Sequence, residues 1–409
     1  MKINEILKKE LEIISIPKEQ ESELKKIANE IKKKILKQNK NIEVKIGGSL
    51  AKSTLIKKPV LDIDIFVVFK NEEETKSLGK ILRKAGLDFV VVRGSRDYFQ
   101  VKKDGVIIEI VPIVKNKNPE EAKNVTDFSL KHVDYVKKQI KKNPKLADEI
   151  KLAKAFCFAN DCYGTENYIQ GFNGYSLEIL VCYFGSFIKF LKGIKKKRII
   201  DPEKHFKDDK EILRELNASK LQSPVILIDP TYKYRNVCAG LSEETFKKFL
   251  VCAQKFLKSP SLKMFKKREI DVEKIKLLAK KKNARFIEIN LKTDKQEGDI
   301  AGTKMKKFFR FMCDELERKQ QKILFKEFVY PGSGKKAKAY LIVKEVKEIE
   351  VGGISVELKE AIKNFKKVRK KIYVKNGKVY AKEKIELDEI FNNIKKFEDE
   401  MSVQFEIVD

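Results

Sequence analysis

Apolar and polar positions alternate over short distances in the first 115 residues, and the pattern predicts strands mixed with amphipathic helices. Residues 18–39 place Ile and Leu on one helical face, which predicts a helix, and residues 42–46 alternate as a strand. After a Gly-Gly-Ser turn and a short helical piece, LDIDIFVVF (61–69) has the apolar content of a buried strand. Residues 72–86 predict one surface helix that covers the sheet.

Three further strands complete this mixed α/β module. They are VVVRG (90–94), YFQVKK (98–103) and VIIEIV (106–111). Asp104 and Gly105, between the last two, form a dipeptide that is typical of a tight hairpin turn.

The middle and the C-terminal part of the chain follow different patterns. From about residue 120 to 260 the periodicity is helical, and residues 173–191 are apolar nearly all round, which predicts one buried helix. Ser242 is a good N-cap for the last helix of this region. Residues 283–380 return to strands, hairpins and one helix (303–320), and the last thirty residues predict a helix with a short strand. The predicted fold class is α+β.

GSGKK (332–336) resembles part of a phosphate-binding P-loop. It lacks the first glycine at the required spacing and the Ser or Thr after the lysine, and a strand follows where a P-loop has a helix. The segment is therefore interpreted as a hairpin turn.

Composition narrows the function class. Lys and Arg outnumber Asp and Glu by 90 to 60, and the formal net charge of +30 favours a polyanionic partner such as nucleic acid. A general Lys and Ile bias of the source proteome is the alternative explanation. The six cysteines have no CxxC spacing and lie mostly in apolar helical patterns, which favours reduced core thiols over zinc ligands or disulfides.

The hydropathy pattern gives no sign of a membrane protein. No run of about 18 uncharged apolar residues occurs, and the N-terminus mixes charged and apolar residues where a signal peptide has an apolar core. We therefore expect a cytoplasmic protein with no membrane partner.

Asp62 and Asp64 interrupt a strand that is otherwise apolar. Residues two apart in a strand point to the same side, with Cα atoms roughly 6.5 to 7 Å apart, so a hard cation such as Mg²⁺ between the two carboxylates offsets their repulsion. Glu109 interrupts a second apolar strand, and because an isolated buried carboxylate is costly we expect it to join the same site. Three carboxylates suit two metal ions in phosphoryl transfer. The alternative is a solvated sheet face on which these acids pair with lysines.

Gly47, Gly48 and Ser49 precede the short helical piece. Such a turn presents backbone N–H groups and a helix N-terminus to an anion. The signal is weak alone, but its place before the strand with the two aspartates predicts a triphosphate held beside its metal ions.

GGS, a DxD pattern on a strand and a third acid on a later strand together resemble the DNA polymerase β-like nucleotidyltransferase superfamily. More narrowly, the chain resembles the archaeal, class I CCA-adding enzymes, which are CCA tRNA nucleotidyltransferases. The more specific similarity lies in YGTENYIQGFNGYSLEILVCYFGSF (163–187), DPTYKYRNVCAGLS (229–242) and SPSLKMFK (259–266).

The resemblance implies a four-part architecture and a reaction. The parts are a nucleotidyltransferase catalytic head (1–120), a helical neck (121–270), an RNA-binding α/β body (271–385) and a shortened tail (386–409). The reaction is the template-independent addition of C, C and A to the 3′ end of tRNA from CTP and ATP, with Mg²⁺ and release of pyrophosphate. The family also suggests a homodimer formed through the C-terminal half.

The resemblance further implies roles for individual residues. Asp62 and Asp64 are implied to bind both metal ions, and Glu109, where the family more often has Asp, to bind metal and help activate the terminal 3′-OH. The implied nucleotide contacts are Gly48, Ser49, Lys52, Ser129, His132, Lys154, Tyr163, Asn173, Arg235 and Asn236. Among them, Arg235 is implied to read the incoming base.

Several of these implied contacts have a plainer alternative. His132 lies on a Lys-rich helical stretch and could be an ordinary surface residue, and Tyr163 could belong to the core. At the level of function, the rivals are a poly(A) or poly(U) polymerase on the same fold and a non-catalytic RNA-binding protein. Retention of all three acids argues against the second rival, because acids inside strands reduce stability.

Overall fold

The computed structural model describes residues 2–58, 60–94, 96–115, 124–369 and 371–408, and the chain divides into two compact units. The first unit is Met1–Thr165 with Ile169–Arg268, and the second is Glu166–Tyr168 with Glu269–Asp409. Both units contain helices and sheets, which confirms the α+β fold class. The finer division into head, neck, body and tail stays a prediction, and so does the homodimer.

A five-stranded sheet lies in the N-terminal part of the first unit. Its strands are β1 (Glu43–Ile46), β2 (Leu61–Phe69), β3 (Val90–Val92), β4 (Tyr98–Lys103) and β5 (Val106–Val114), in the order β1-β2-β5-β4-β3. β2 and β5 are parallel, and the other neighbours are antiparallel. All five predicted strands are confirmed. The apolar residues that alternate with the acids, such as Ile63 and Ile108, are fully buried on the opposite face.

The helices in this part of the chain are α1 (Ile3–Ile14), α2 (Lys18–Gln38), α3 (Gly48–Ala51), α4 (Glu72–Thr75) and α5 (Leu78–Lys84). The single helix predicted for residues 72–86 is wrong, because the segment forms α4 and α5. At the break, the Ser77 hydroxyl donates to the backbone carbonyl of Glu74 at 2.6 Å. Such a side-chain hydrogen bond competes with the helical pattern.

The rest of the first unit is mainly helical. Its helices are α6 (Ser129–Lys142), α7 (Leu146–Ala159), α8 (Gly174–Phe184), α9 (Phe187–Gly193), α10 (Asp209–Glu215), α11 (Ala218–Leu221) and α12 (Glu243–Lys258), with short 3-10 helices at Val125–Phe128 and Leu262–Phe265. A small sheet contains β6 (Ile199–Ile200), β7 (Ile226–Asp229) and β8 (Tyr232–Asn236), in that order. The Ser242 hydroxyl accepts from the Thr245 backbone N–H at 3.2 Å, so the predicted N-cap of α12 is confirmed.

Residues 173–191 form two helices where one was predicted. α8 ends at Gly185, whose φ of +83° is the left-handed conformation that glycine adopts without strain, and Ser186 caps the start of α9. Both helices are buried in the core, as predicted. No single described helix is long and apolar enough to cross a membrane, although α8 and α9, bent by 91°, pass that test of length and composition as a pair.

Phenylalanine side chains fill the core of the helical part. The ring of Phe156 lies 5.5 Å from that of Phe187 and 5.6 Å from that of Phe256, and all three are fully buried. All six cysteines are free, as predicted, and four of them are buried.

The second unit is built around two antiparallel sheets. Its strands are β9 (Arg285–Lys292), β10 (Lys322–Val329), β11 (Lys336–Lys344), β12 (Glu348–Ser355), β13 (Ile372–Lys375), β14 (Lys378–Lys384) and β15 (Gln404–Val408), in the orders β10-β11-β9-β15 and β12-β14-β13. Its helices are α13 (Val272–Lys281), α14 (Asp299–Arg318), α15 (Lys359–Val368), α16 (Leu387–Lys395) and α17 (Glu398–Met401). GSGKK connects β10 to β11, which confirms the hairpin interpretation.

Residues near the C-terminus belong to the larger sheet of this unit. β15 pairs with β9 in an antiparallel register, and Phe405 packs into the same core as α14 and α16. The segment 386–409, predicted as a tail, therefore adds an edge strand and two helices to the second unit.

Candidate active site

The two predicted acidic strands are neighbours in the sheet. In the parallel register of β2 and β5, Asp64 is the direct partner of Glu109, and Asp62 lies two residues before Asp64 on the same face. Neighbouring strands are about 4.8 Å apart, so all three carboxylates start from adjacent backbone positions. The structure thus places the predicted catalytic acids together on one face of the sheet.

The three carboxylates influence each other electrostatically. Burial, Glu109 and Asp62 together raise the pKa of the Asp64 carboxyl to about 7, although Lys52 and Lys58 act in the opposite direction. Burial also raises the pKa of Glu109, and a hydrogen bond from Gln100 limits this rise. Negative charge at this face is therefore costly without a nearby cation.

The side chains themselves do not converge in this arrangement. The Lys58 ammonium lies 3.1 Å from Asp62 Oδ1, and Gln100 Nε2 donates to Glu109 Oε1 at 2.8 Å. In the described ranges, no three His, Cys, Asp or Glu side chains are grouped so that they could hold a metal ion. The convergence expected from the sequence is thus absent here, because Lys58 and Gln100 each hold one of the acids.

The donor set nevertheless fits a hard divalent cation. Three carboxylates provide the oxygen ligands that Mg²⁺ prefers, and the Lys58 ammonium shows that a cation lies readily against Asp62. The alternative of a solvated sheet face, on which the acids pair with lysines, applies in part to Asp62. Its side chain is 39% exposed and is paired with a lysine. The alternative does not describe Asp64 or Glu109, whose pKa values are raised chiefly by burial.

The glycine turn lies directly against Asp64. Gly48 has a φ of +60°, and a Cβ atom added to it would lie 1.6 Å from Asp64 Oδ2. The Gly47 backbone N–H donates to the Asp64 carbonyl oxygen at 2.8 Å. Ser49 follows in α3, so the two predicted phosphate contacts, Gly48 and Ser49, are beside the acidic strand.

Replacing Gly48 with Ala is expected to lower kcat for nucleotide addition by at least about tenfold, because the added methyl group displaces the Asp64 carboxylate. Gly86→Ala is a matched control, since Gly86 has a similar φ of +65° but no atom within 4 Å of an added Cβ. Both variants carry the backbone strain of an alanine at positive φ, and only Gly48→Ala carries the clash. Equal activity of the two variants in a primer-extension assay would contradict the expected contact.

Lys52 and Lys154 meet in what we call the buried lysine cluster, which consists of Lys52, Thr54, Lys154 and Glu178. Glu178 Oε2 accepts from Lys52 Nζ at 2.6 Å, and Glu178 Oε1 accepts from Lys154 Nζ at 2.8 Å and from Thr54 Oγ1 at 2.9 Å. Glu178 has no solvent exposure. Burial favours its neutral form, but the two lysines outweigh this and lower its pKa to about 2. The sequence reasoning missed Glu178.

Tyr163 and Asn173 flank this cluster. A Cβ atom added to Gly174 would lie 3.0 Å from the Tyr163 hydroxyl and 3.9 Å from Lys154 Nζ, so these groups meet at the start of α8. The Lys58 ammonium lies 5.7 Å from the centroid of the Tyr163 ring. Asn173 caps α8, since its Oδ1 accepts from the Ser176 N–H at 2.6 Å and its Nδ2 donates to the Val237 carbonyl at 2.9 Å.

His132 and Arg235 share a buried carboxylate, that of Asp229. Asp229 Oδ2 lies 3.0 Å from His132 Nε2 and 2.8 Å from Arg235 Nη1, and Asp229 Oδ1 accepts from the Tyr175 hydroxyl at 3.1 Å. Burial raises the pKa of Asp229, but His132 and Arg235 outweigh it and hold the pKa well below its ordinary value. The sequence reasoning did not assign Asp229 or Tyr175 to the site.

The surface alternative for His132 is wrong, because the residue is only 8% exposed. Its ring stacks on that of Tyr175 at 3.9 Å between centroids. Burial lowers the pKa of His132 and Asp229 raises it, and the net effect is a lowered pKa. Ser129 begins the same helix, α6, which contacts α3 and α8.

Asn236 has a structural role. Its Oδ1 accepts from the backbone N–H groups of Leu227 and Cys238, both at 2.9 Å, and its Nδ2 donates to the carbonyls of Lys220 and Val225. The side chain is thus fully engaged by the backbone around β7 and β8, and it is 4% exposed. The nucleotide contact implied for Asn236 stays a prediction.

Family models and known proteins are similar to this chain in sequence. A model described as a nucleotidyltransferase domain matches residues 24–157, and one described as the second domain of tRNA nucleotidyltransferase matches residues 148–266. A CCA-adding enzyme of Nanoarchaeum equitans is 35% identical over 336 residues, which are 80% of each chain. The chain belongs to the CCA-adding enzyme family. Another member, from Methanocaldococcus jannaschii, is 30% identical over 93% of this chain and 87% of its own.

Solved structures share the fold at low sequence identity. The Cid1 poly(U) polymerase, bound to MgATP, has a TM-score of 0.52 and 11% identity over 64% of this chain and 98% of its own. A cytoplasmic RNA terminal U-transferase has a TM-score of 0.50 and 12% identity over 65% of this chain and 99% of its own. This chain thus shares its fold with these two structures.

Proposed function

We propose that the protein adds C, C and A to the 3′ end of tRNA from CTP and ATP, without a template and with release of pyrophosphate. Family membership supports the reaction, and the single structural observation that carries it is the register that makes Asp64 the partner of Glu109 beside Gly48. The net charge of +30 suits a tRNA partner.

The carboxylates of Asp62, Asp64 and Glu109 are the proposed ligands of divalent cations, and Mg²⁺ is the cation that we propose. When bound, such ions stabilise the charge on the transferred phosphoryl group. Glu109 helps to activate the terminal 3′-OH for attack on the α-phosphate. The Gly48 and Ser49 turn, Lys52, Lys154 and Tyr163 orient the triphosphate, so positioning and electrostatics provide most of the rate enhancement.

Arg235 is the proposed base-reading residue. Its contacts with Asp229 and His132 both use Nη1, and the Nε–Nη2 edge of the guanidinium can present paired donors to a base. Donors and acceptors that fit cytosine and adenine reject uracil and guanine, because a mismatched base leaves buried polar groups unpaired. Ser129, His132 and Asn173 are retained as proposed contacts around the nucleotide.

The deciding experiment uses tRNA that ends at the discriminator base, with each labelled nucleoside triphosphate singly and in pairs. We expect CTP alone to add two residues, CTP with ATP to add CCA and then stop, and EDTA to prevent both. A long homopolymer would instead support the poly(A) or poly(U) polymerase that the shared fold permits. Binding of tRNA without incorporation would support a non-catalytic RNA-binding protein.

A further inference from the structure

The position of Glu178 is unusual for a carboxylate. It lies in the middle of α8, a helix whose neighbouring side chains are apolar and buried, and burying an unpaired carboxylate there would be strongly unfavourable. Its partners come from distant segments, since Lys52 and Thr54 precede it by 126 and 124 residues and Lys154 by 24 residues. The Glu178 carboxylate on α8 thus links the segment after α3, which holds Lys52 and Thr54, to Lys154 on α7.

The cluster contains more positive charge than a structural ion pair needs. One lysine would neutralise Glu178, yet two ammonium groups contact it, and Lys154 is also close enough to Lys58 to be affected by its charge. The charge of Lys52 also lowers the pKa of Asp64 and that of His132. Lys154 therefore faces one carboxylate and two other ammonium groups, and this surplus of positive charge favours binding of an anion.

The start of α8 adds to this surplus. The N-terminus of an 11-residue helix carries partial positive charge, and Lys154 Nζ lies next to Gly174, the first residue of α8. An ammonium group beside a helix N-terminus is electrostatically unfavourable unless an anion lies between them. The Tyr163 hydroxyl at the same place supplies a further donor.

We propose that Glu178 is a positioning residue that holds the ammonium groups of Lys52 and Lys154 side by side, so that they bind the polyphosphate of the incoming nucleotide together. The inference rests on the proposed function, which supplies the nucleotide. Glu178 neutralises half of the paired charge and raises the pKa of the Lys154 ammonium, against the effect of burial. Without it, the lysines repel each other, and Lys154, whose pKa burial already lowers, loses its proton more readily.

The test compares Glu178→Gln with the wild-type protein by calorimetric titration of inorganic tripolyphosphate, with EDTA and without divalent cations, at pH 6 and pH 9. Gln keeps the size and one acceptor oxygen of Glu. We expect the affinity of the variant to fall more between pH 6 and pH 9 than that of the wild type, because Glu178 raises the pKa of Lys154 and its removal makes loss of that proton easier. At pH 9 we expect the variant to bind roughly tenfold more weakly than the wild type, because positive charge beside the ligand is lost. Titration of tripolyphosphate itself affects both proteins equally.

Glu149→Gln is the matched control. Glu149 is another carboxylate of this helical region with a structural task, since its Oε2 accepts from the Phe187 N–H at 2.7 Å at the start of α9. The Glu149→Gln variant should bind tripolyphosphate as tightly as the wild type does at both pH values. Equal weakening of Glu178→Gln at pH 6 and pH 9, or no change at either, would overturn the proposal in favour of a merely structural ion pair.

A second variant covers the case in which Glu178→Gln does not fold. Lys154→Met leaves Glu178 and Lys52 as a balanced pair, and we expect it to bind tripolyphosphate about tenfold more weakly at pH 6. Wild-type affinity in this variant would overturn the proposal.

The titration needs neither tRNA nor CTP, so a wild type that adds CCA but does not bind tripolyphosphate refutes only the role of Glu178. If Glu178→Gln shows the expected pH dependence of tripolyphosphate binding but the wild type does not add CCA, only the proposed reaction is refuted.

Discussion

Asp64→Asn is expected to abolish nucleotide addition, with a loss in kcat of at least about a thousandfold. Asn has nearly the same size as Asp, so the contact with Gly48 is kept, but the negative charge at the partner position of Glu109 is removed. Two carboxylates then remain where three are proposed to hold the divalent cations. Single-turnover incorporation of labelled CTP into tRNA measures the effect directly.

The same variant should still bind tRNA. Its affinity should stay within about tenfold of the wild type, because phosphate contacts from lysine and arginine dominate such binding. Asp88→Asn, an exposed aspartate of the same unit, is the control and should have normal activity. Normal incorporation by Asp64→Asn would show that the metal assignment is wrong.

Strands were predicted well because their signal is local. At the start of β2 and β5, buried apolar residues alternate with less buried ones, and that pattern is visible in a single sequence. The errors lie where a side-chain hydrogen bond or a left-handed glycine ends a helix. The hydrogen bond from Ser77 that separates α4 from α5 does not change the apolar periodicity, and neither does the sharp bend at Gly185. Periodicity alone therefore predicted one helix in each place where the structure has two.

The candidate site was only partly predictable for a similar reason. Asp62, Asp64 and Glu109 could be found because each interrupts an apolar strand, and the same signal, an acid within an apolar helix, could have identified Glu178. Asp229 ends an apolar strand instead of interrupting one, and its partner His132 lies 97 residues away in sequence, so the sequence does not reveal this pair. The contacts that engage Asn236 also come from backbone groups that no motif reveals.

Asp229→Ala is expected to lower the free energy of unfolding by about 3 kcal/mol, because it leaves Arg235 and His132 without the carboxylate that they share. The cost should depend on pH. Since the pKa of Asp229 is lowered in the folded protein, its contribution is fully present above the unfolded pKa of about 3.9 and is lost as the pH falls toward the lower folded value. Denaturant unfolding at pH 7 and pH 3 should show a smaller difference between wild type and variant at pH 3.

Asp229→Asn separates stability from base choice. The amide can still accept at Oδ1 from Tyr175 and Thr231, so we expect a smaller loss of stability than in Asp229→Ala. Without the negative charge, Arg235 is no longer held through Nη1, and the preference for CTP over UTP in kcat/KM should fall by about tenfold or more. Asp134→Asn, an exposed aspartate on α6, should change neither quantity. An Asp229→Asn enzyme that is destabilised but fully selective would show that this carboxylate supports the fold without orienting the base-reading arginine.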